Sequence, residues 1–245
     1  MQEIVYHTNY QHENSYWWFL ARNEILKQTV ESFCDLNNSF NLLDVGCGTG
    51  GFASSLLNQC NVIGIDTSDT ALEYSRKRGI KNLHNCLLKD FDKSKYGKID
   101  AITILDVIEH IQDDKQVVEE AYNLLDVGSY IIASVPAYQW LWSKHDEVHM
   151  HYRRYNKKNF QNLFKDAGFK IIYSSYFNSI LFFPAVIKRS IDKFTNNERK
   201  SDSPIDEVPE AVNTLFTKIF RFEKSWVPKI TIPFGLSIVV VAKKI

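Results

Sequence analysis

The residues of this chain best suited to chemistry are the run Gly46-Cys47-Gly48-Thr49-Gly50-Gly51 and the carboxylates Asp44, Asp66, Asp90 and Asp106, each near the end of a short apolar run. Glycines directly after an apolar run let the backbone approach a ligand, with orphan N–H groups aimed at it where a helix follows. Gly46, Gly48 and Gly51 also match the GxGxxG spacing of dinucleotide loops. A pyrophosphate, however, gains nothing from a carboxylate two residues before the first glycine, where Asp44 stands. A cationic nucleoside does gain, because the carboxylate compensates charge in a partly desolvated pocket. Asp66 can accept from ribose hydroxyls in either class. Asp90 offers an acceptor to an adenine amino group and Phe91 an aromatic face, while Leu105 and Asp106 stand in the adjoining crevice.

S-adenosylmethionine carries a sulfonium and an ammonium, and it is the ligand these acids favour. Its expected contacts are Asp44, Gly46, Cys47, Gly48, Asp66, Thr67, Asp90, Phe91, Leu105 and Asp106. Tyr16, Trp18 and Arg22 could fold over it, Arg22 reaching its carboxylate; Trp17 reads as packing. Methyl transfer is an in-line displacement in which an enzyme gains by aligning the reactants and excluding water. A hydroxyl acceptor also loses a proton, most often to histidine. His110, three residues past Val107 and beside Glu109, either takes that proton or hydrogen-bonds the helix that follows. His149 and His151 lie on a later aromatic-rich loop with His145, where a lid over the acceptor belongs, and alternate spacing points the first two the same way if the loop is extended.

Asp106, Glu109, His110, His149 and His151 also form a set that could hold a divalent ion, but nothing in the sequence fixes its geometry and no metal is assigned. Arg153, Arg154, Lys157 and Lys158 make the one dense basic cluster. Its arginines suit a phosphate or carboxylate on the acceptor, and its lysines read equally as a solvated face.

The elements that must position these groups alternate. Strands are expected at 41–45, 62–66, 83–87, 101–105, 130–135, 170–176 and 236–242, with helices at 51–58, 70–78, 115–125 and 157–167, the pattern of a parallel sheet with crossover helices. Gly79 and Gly168 sit at helix C-caps and Asn156 at an N-cap. Outside this core lie an aromatic-rich helix over 6–33, the loop 138–155, and residues 177–232, too long for a plain connection. The last should form a cap of two helices, 179–193 and 211–224, joined by the polar stretch 195–209.

Leu43-Asp44-Val45-Gly46-Cys47-Gly48-Thr49-Gly50, Ile65-Asp66, Asp90-Phe91 and Leu105-Asp106-Val107-Ile108-Glu109-His110-Ile111 together resemble the successive motifs of class I S-adenosylmethionine-dependent methyltransferases. The likeness covers about residues 40–136. It implies an α/β, Rossmann-like sheet of order 3-2-1-4-5-7-6 with the seventh strand antiparallel. Tyr16 to Arg22, His145-Asp146-Glu147 and His151-Tyr152-Arg153-Arg154-Tyr155 resemble a bacterial subgroup linked to surface-glycan or lipid-linked sugars. His145, Arg153, Arg154 and Tyr155, on the loop after the fifth strand, are the expected acceptor contacts. The chain is then a single methyltransferase domain, with a helical extension over 1–38, a core over 39–176 and 233–245, and a cap over 177–232.

Composition narrows the alternatives. Lysine plus arginine equal aspartate plus glutamate at 29 each, so no net field gathers nucleic acid. Four cysteines without CxxC spacing read as reduced, buried thiols. A polar N-terminal stretch and the lack of any apolar run near 20 residues predict a cytoplasmic protein without a transmembrane segment. The apolar positions of 180–191 leave room for a homo-oligomer surface or for peripheral contact with a membrane. The expected reaction is methyl transfer to an oxygen, or second a nitrogen, of a small-molecule or lipid-linked acceptor. The rivals are an NAD-dependent oxidoreductase and a non-catalytic methyltransferase-like binding protein.

Overall fold

The structure, a computed structural model, describes residues 3–194 and 208–245. The expected linker 195–209 lies outside them except for its last two residues. Short β-rich runs build a seven-stranded sheet from β1 (Asn41–Val45), β2 (Asn61–Asp66), β3 (Asn82–Asn85), β4 (Ala101–Leu105), β5 (Tyr130–Pro136), β6 (Lys170–Phe177) and β7 (Ser237–Lys243). Their order is β3-β2-β1-β4-β5-β7-β6, with β7 antiparallel to both neighbours, as the resemblance implies. β1 pairs β2 on one side and β4 on the other. The strand order therefore reverses beside β1 and opens a crevice beyond the carboxyl ends of β1 and β4.

Both faces of the central strands are covered, so alternate residues enter two separate cores. Leu43, Ile63, Ile102 and Ile131 point to one, where Val118 of α4 (Asp114–Leu124) and Phe160 and Phe164 of α6 (Lys157–Asp166) meet them. Leu42, Val62, Ile132 and Val239 point to the other, against Ile25 and Leu26 of α2 (Trp17–Phe33) and Phe220 of α8 (Glu210–Phe222). The remaining helices are α1 (Glu3–His12), α3 (Asp69–Lys77), α5 (Lys144–Val148) and α7 (Phe182–Phe194). Asn156 caps α6 by accepting from the Asn159 N–H, and Gly79 and Gly168 follow α3 and α6 at φ of 94° and 102°, the left-handed turn that glycine takes most cheaply. None of the described helices is long and apolar enough to cross a membrane, and all four cysteines are free thiols.

Several elements differ from the sequence reading. The N-terminal segment is two helices rather than one, broken at Glu13 because that side chain turns down onto the glycine loop: Thr49 Oγ1 donates to Glu13 Oε2 at 2.6 Å, and Arg78 pairs with it at 3.1 Å. The helix expected at 51–58 is only a 3-10 turn, Ala53–Leu56. β3 ends at Asn85 rather than at residue 87, which frees Cys86 to Lys89 to border the crevice. The loop 138–155 contains α5.

Candidate active site

A cleft of about 1210 Å³ lies over the carboxyl ends of the strands. That exceeds the roughly 300–1,000 Å³ of a typical single-ligand pocket, so it has room for two reactants. One end is acidic. Gly46 (φ 68°) and Gly48 (φ 54°) take left-handed backbone there. Gly48 donates its N–H to Asp66 Oδ2 at 2.9 Å while Ser68 donates to Oδ1 at 2.9 Å. The aspartate is thereby fixed, with burial raising its pKa in spite of those bonds. Asp44 is buried beneath the loop, accepts from Thr103 Oγ1 at 2.6 Å, and is pushed up to about 7 by burial. Such a carboxyl is held ready for a cation.

α1 and α2 close this end. Arg22 pairs with Asp106 Oδ2 at 2.6 Å and lies over the Trp18 ring, 5.3 Å from its centroid. Asp106 itself has φ of 56° and accepts from Ser134 Oγ at 3.1 Å. A non-glycine residue in this region is strained, and such strain concentrates at functional sites. Tyr6 and Asn9 of α1 also line the cleft; the Tyr6 hydroxyl is pushed up to about 12 by burial and by the nearby Asp66.

The other end is rich in histidine. The rings of His110 and His151 meet edge-to-face with centroids 4.6 Å apart, and His149 lies 5.9 Å from His151. Burial and the neighbouring imidazoles push His110 down to about 3. Glu109, 1% exposed, is raised by burial and by Asp106. Behind them Asp146 takes 2.9 Å from His151 Nδ1 and a fork of 2.7 and 2.9 Å from Arg154. Burial works to raise the Asp146 carboxyl, but the hydrogen bonds from His151 and Arg154 hold it well below the usual range.

The family model described as a methyltransferase domain matches residues 10–174. The chain belongs to that family. As the motifs implied, this is a class I S-adenosylmethionine-dependent methyltransferase. A ubiquinone biosynthesis O-methyltransferase of Chromobacterium violaceum is 31% identical over 99 residues, 38% of this chain and 43% of that protein. A sterol 24-C-methyltransferase of Candida albicans is 24% identical over 162 residues, 57% of this chain and 42% of that one. The matches thus span less than half the length of these relatives. Among solved structures, a SAM-dependent methyltransferase from Thermotoga maritima shares the fold at TM-score 0.56 and 19% identity, covering 98% of this chain and 99% of its own. A Haemonchus contortus phosphoethanolamine N-methyltransferase 2 does so at TM-score 0.57 and 16% identity, covering 89% and 52%.

Most of the residues singled out in this methyltransferase's sequence share the cleft. Tyr16, Trp18, Arg22, Asp44, Gly46, Cys47, Gly48, Asp66, Thr67, Leu105 and Asp106 line it, as do His110, His149, His151 and Arg154. Four do not. Asp90 is exposed beyond the cleft, and Phe91 turns into the core, stacked on Tyr96 at 5.9 Å; the 3-10 turn Leu88–Asp90 rotates both away and leaves Cys86 to Lys89 at the wall. Arg153 pairs with Asp114 at 2.7 Å, and the Tyr155 hydroxyl donates to the same carboxylate at 2.7 Å. Both face a neighbouring groove instead. Arg154 is at the cleft, but its fork is spent on Asp146. The His145 side chain lies outside the described residues.

Sequence reasoning missed Glu13, Tyr6 and Asn9, whose placement depends on the break between α1 and α2. It also missed Arg189, which α7 carries into the cleft, where it donates to the Leu141 carbonyl and is lowered to about 10 by burial and by Arg154. Only the basic positions on an apolar cap helix hinted at it.

Proposed function

We propose that the protein transfers a methyl group from S-adenosylmethionine to an oxygen of a small or lipid-linked acceptor. The observation that carries this reading is the continuity of one cleft from the acids at Asp44 and Asp66 to the histidines at His110, His149 and His151. The donor supplies an electrophilic methyl group on a sulfonium. Asp66 would accept from its ribose hydroxyls, Asp44 would balance its positive charge, and the wall at Leu87 and Leu88 would flank its base. Glycine backbone at Gly46 and Gly48 allows the close approach, and α1 and α2 exclude water.

At the far end an imidazole of the cluster takes the proton that the acceptor hydroxyl gives up, and α7 and the lid loop cover the acceptor. Two observations support an acceptor with an apolar part: Phe183 and Ile187 of α7 are 58% and 60% exposed, and relatives are named for ubiquinone biosynthesis and sterols. We infer a cytoplasmic protein that meets such an acceptor without spanning the bilayer. Asp44, Asp66 and Asp106 gathered at the cleft support an enzyme over a binding protein, and Asp44 speaks against a dinucleotide. The test is transfer of labelled methyl from S-adenosylmethionine to a panel of catechols, monophenols, lipid-linked sugars and amines. Label in hydroxyl compounds supports the reading, and label in amines alone contradicts it.

A further inference from the structure

Glu109 has a carboxylate oxygen, Oε2, that is buried and has no hydrogen-bond partner among the described residues. Leaving a carboxyl oxygen dry and unpaired is costly, and folded proteins rarely do so without a functional reason. The oxygen belongs to a cluster: Glu109, His110 and His151 each offer one ligand atom, and these atoms lie within 4.8 Å of one another.

We propose that Glu109, His110 and His151 form a binding site for a first-row divalent transition metal at the acceptor end of the cleft. Three features of the molecule favour it. The donor set, two imidazoles and a carboxylate, suits zinc, manganese or iron better than magnesium or calcium, which prefer oxygen alone. Three protein ligands, with the cleft on the open side, is the composition of sites that keep a position for substrate. The supporting shell is also built. His151 Nδ1 is engaged by Asp146 at 2.9 Å, and Asp146 is itself clamped by the Arg154 fork and by the Ser143 N–H at 2.8 Å. A carboxylate behind a ligating histidine is the usual means of setting its tautomer and orientation. Bonds near 2.1 Å place adjacent ligands roughly 3–3.5 Å apart, so the cluster contracts slightly on loading.

The use of the metal rests on the proposed methyl transfer. An acceptor hydroxyl at the open position would be polarised, easing loss of its proton to a base such as His149 as the O–CH₃ bond forms and the S–CH₃ bond breaks. The acceptor would then be a compound with an oxygen able to ligate, such as a catechol or a vicinal diol.

The test uses tag-free protein, stripped with chelator and dialysed, then titrated with zinc or manganese chloride by calorimetry and followed by elemental analysis. One equivalent per chain is expected. Glu109→Gln and His151→Ala should weaken uptake at least tenfold, and Asp146→Asn, which removes a positioning group, should weaken it about tenfold. S-adenosylhomocysteine affinity should stay unchanged in Glu109→Gln and His151→Ala, which separates loss of this site from failure of the cofactor reading. Should those variants not fold, cobalt(II) titrated into the stripped wild type must show visible d–d bands at one equivalent. Uptake well below one equivalent, undiminished uptake in both folded variants, or no cobalt bands overturns the proposal.

Discussion

Arg22 and Asp106 are joined at 2.6 Å, tying α2 to the end of β4 across the floor of the cleft. The guanidinium side chain is 9% exposed and the carboxylate 19%. Truncating one member strands the other charge in a poorly hydrated place, which costs about 3 kcal/mol for buried pairs. Arg22→Ala is therefore expected to lower the Tm by about 6–12 °C for a chain of this size. It should also weaken S-adenosylhomocysteine binding, because α2 loses its anchor over the ligand. Calorimetric scans and a ligand titration on the same variant check both effects.

The lid is held in a different way. Asp146 accepts from His151, Arg154 and Ser143, groups that come from both ends of one loop. Asp146→Ala leaves a buried arginine unpaired, and a loss of about 3 kcal/mol is expected. The loop between β5 and α6 should then become the first site of limited proteolysis, with the cleavage pattern read by mass spectrometry.

Asp44 links stability to pH with a defined sign. Burial raises its carboxyl from the ordinary 3.8 to about 7. The protonated form is the one that the fold favours, so its contribution is full below about 3.8 and is lost as pH rises through about 7. Across that window the ligand-free wild type should lose stability relative to Asp44→Asn, by a difference on the order of a few kcal/mol. A cationic ligand favours the carboxylate and reverses the trend. Stabilisation by S-adenosylmethionine should accordingly be larger near pH 8 than near pH 5 in wild type, and this difference should shrink in Asp44→Asn.

Gly46 combines φ of 68° with a wall at Val107: a Cβ there would stand 2.6 Å from Val107 Cγ2. The left-handed backbone alone costs an L-residue about 1–2 kcal/mol. Gly46→Ala should weaken S-adenosylhomocysteine binding at least tenfold. Adding Val107→Ala should recover the part due to the clash and leave the part due to φ, a split that a double-mutant cycle measures.

The strands and the glycine loop were readable because their signals are local. Leu42 and Leu43 alternate between two cores within one run, and Asp44 and Asp66 end strands whose β character is plain in the residues themselves. What escaped depends on contacts distant in sequence. Glu13 reaches Thr49, and Arg189 reaches the Leu141 carbonyl, each through a fold that places one element over another. Phe91 looked like an adenine platform because it follows Asp90 after a strand, yet a single 3-10 turn sends it into the core. The buried pairing of Asp146 with Arg154 escaped as well, because charge spacing on a loop says nothing about burial.

The acidic end of the cleft, around Asp44 and Asp66, is the proposed site of S-adenosylmethionine. Calorimetric titration with S-adenosylhomocysteine tests it most directly, with NADH as the counter-ligand. One site per chain is expected, with affinity reduced by tenfold or more in Asp66→Ala, in line with charge-assisted hydrogen bonds worth about 1.5–3 kcal/mol, and no NADH binding. Absent binding by wild type, undiminished binding by Asp66→Ala, or a preference for NADH would contradict it.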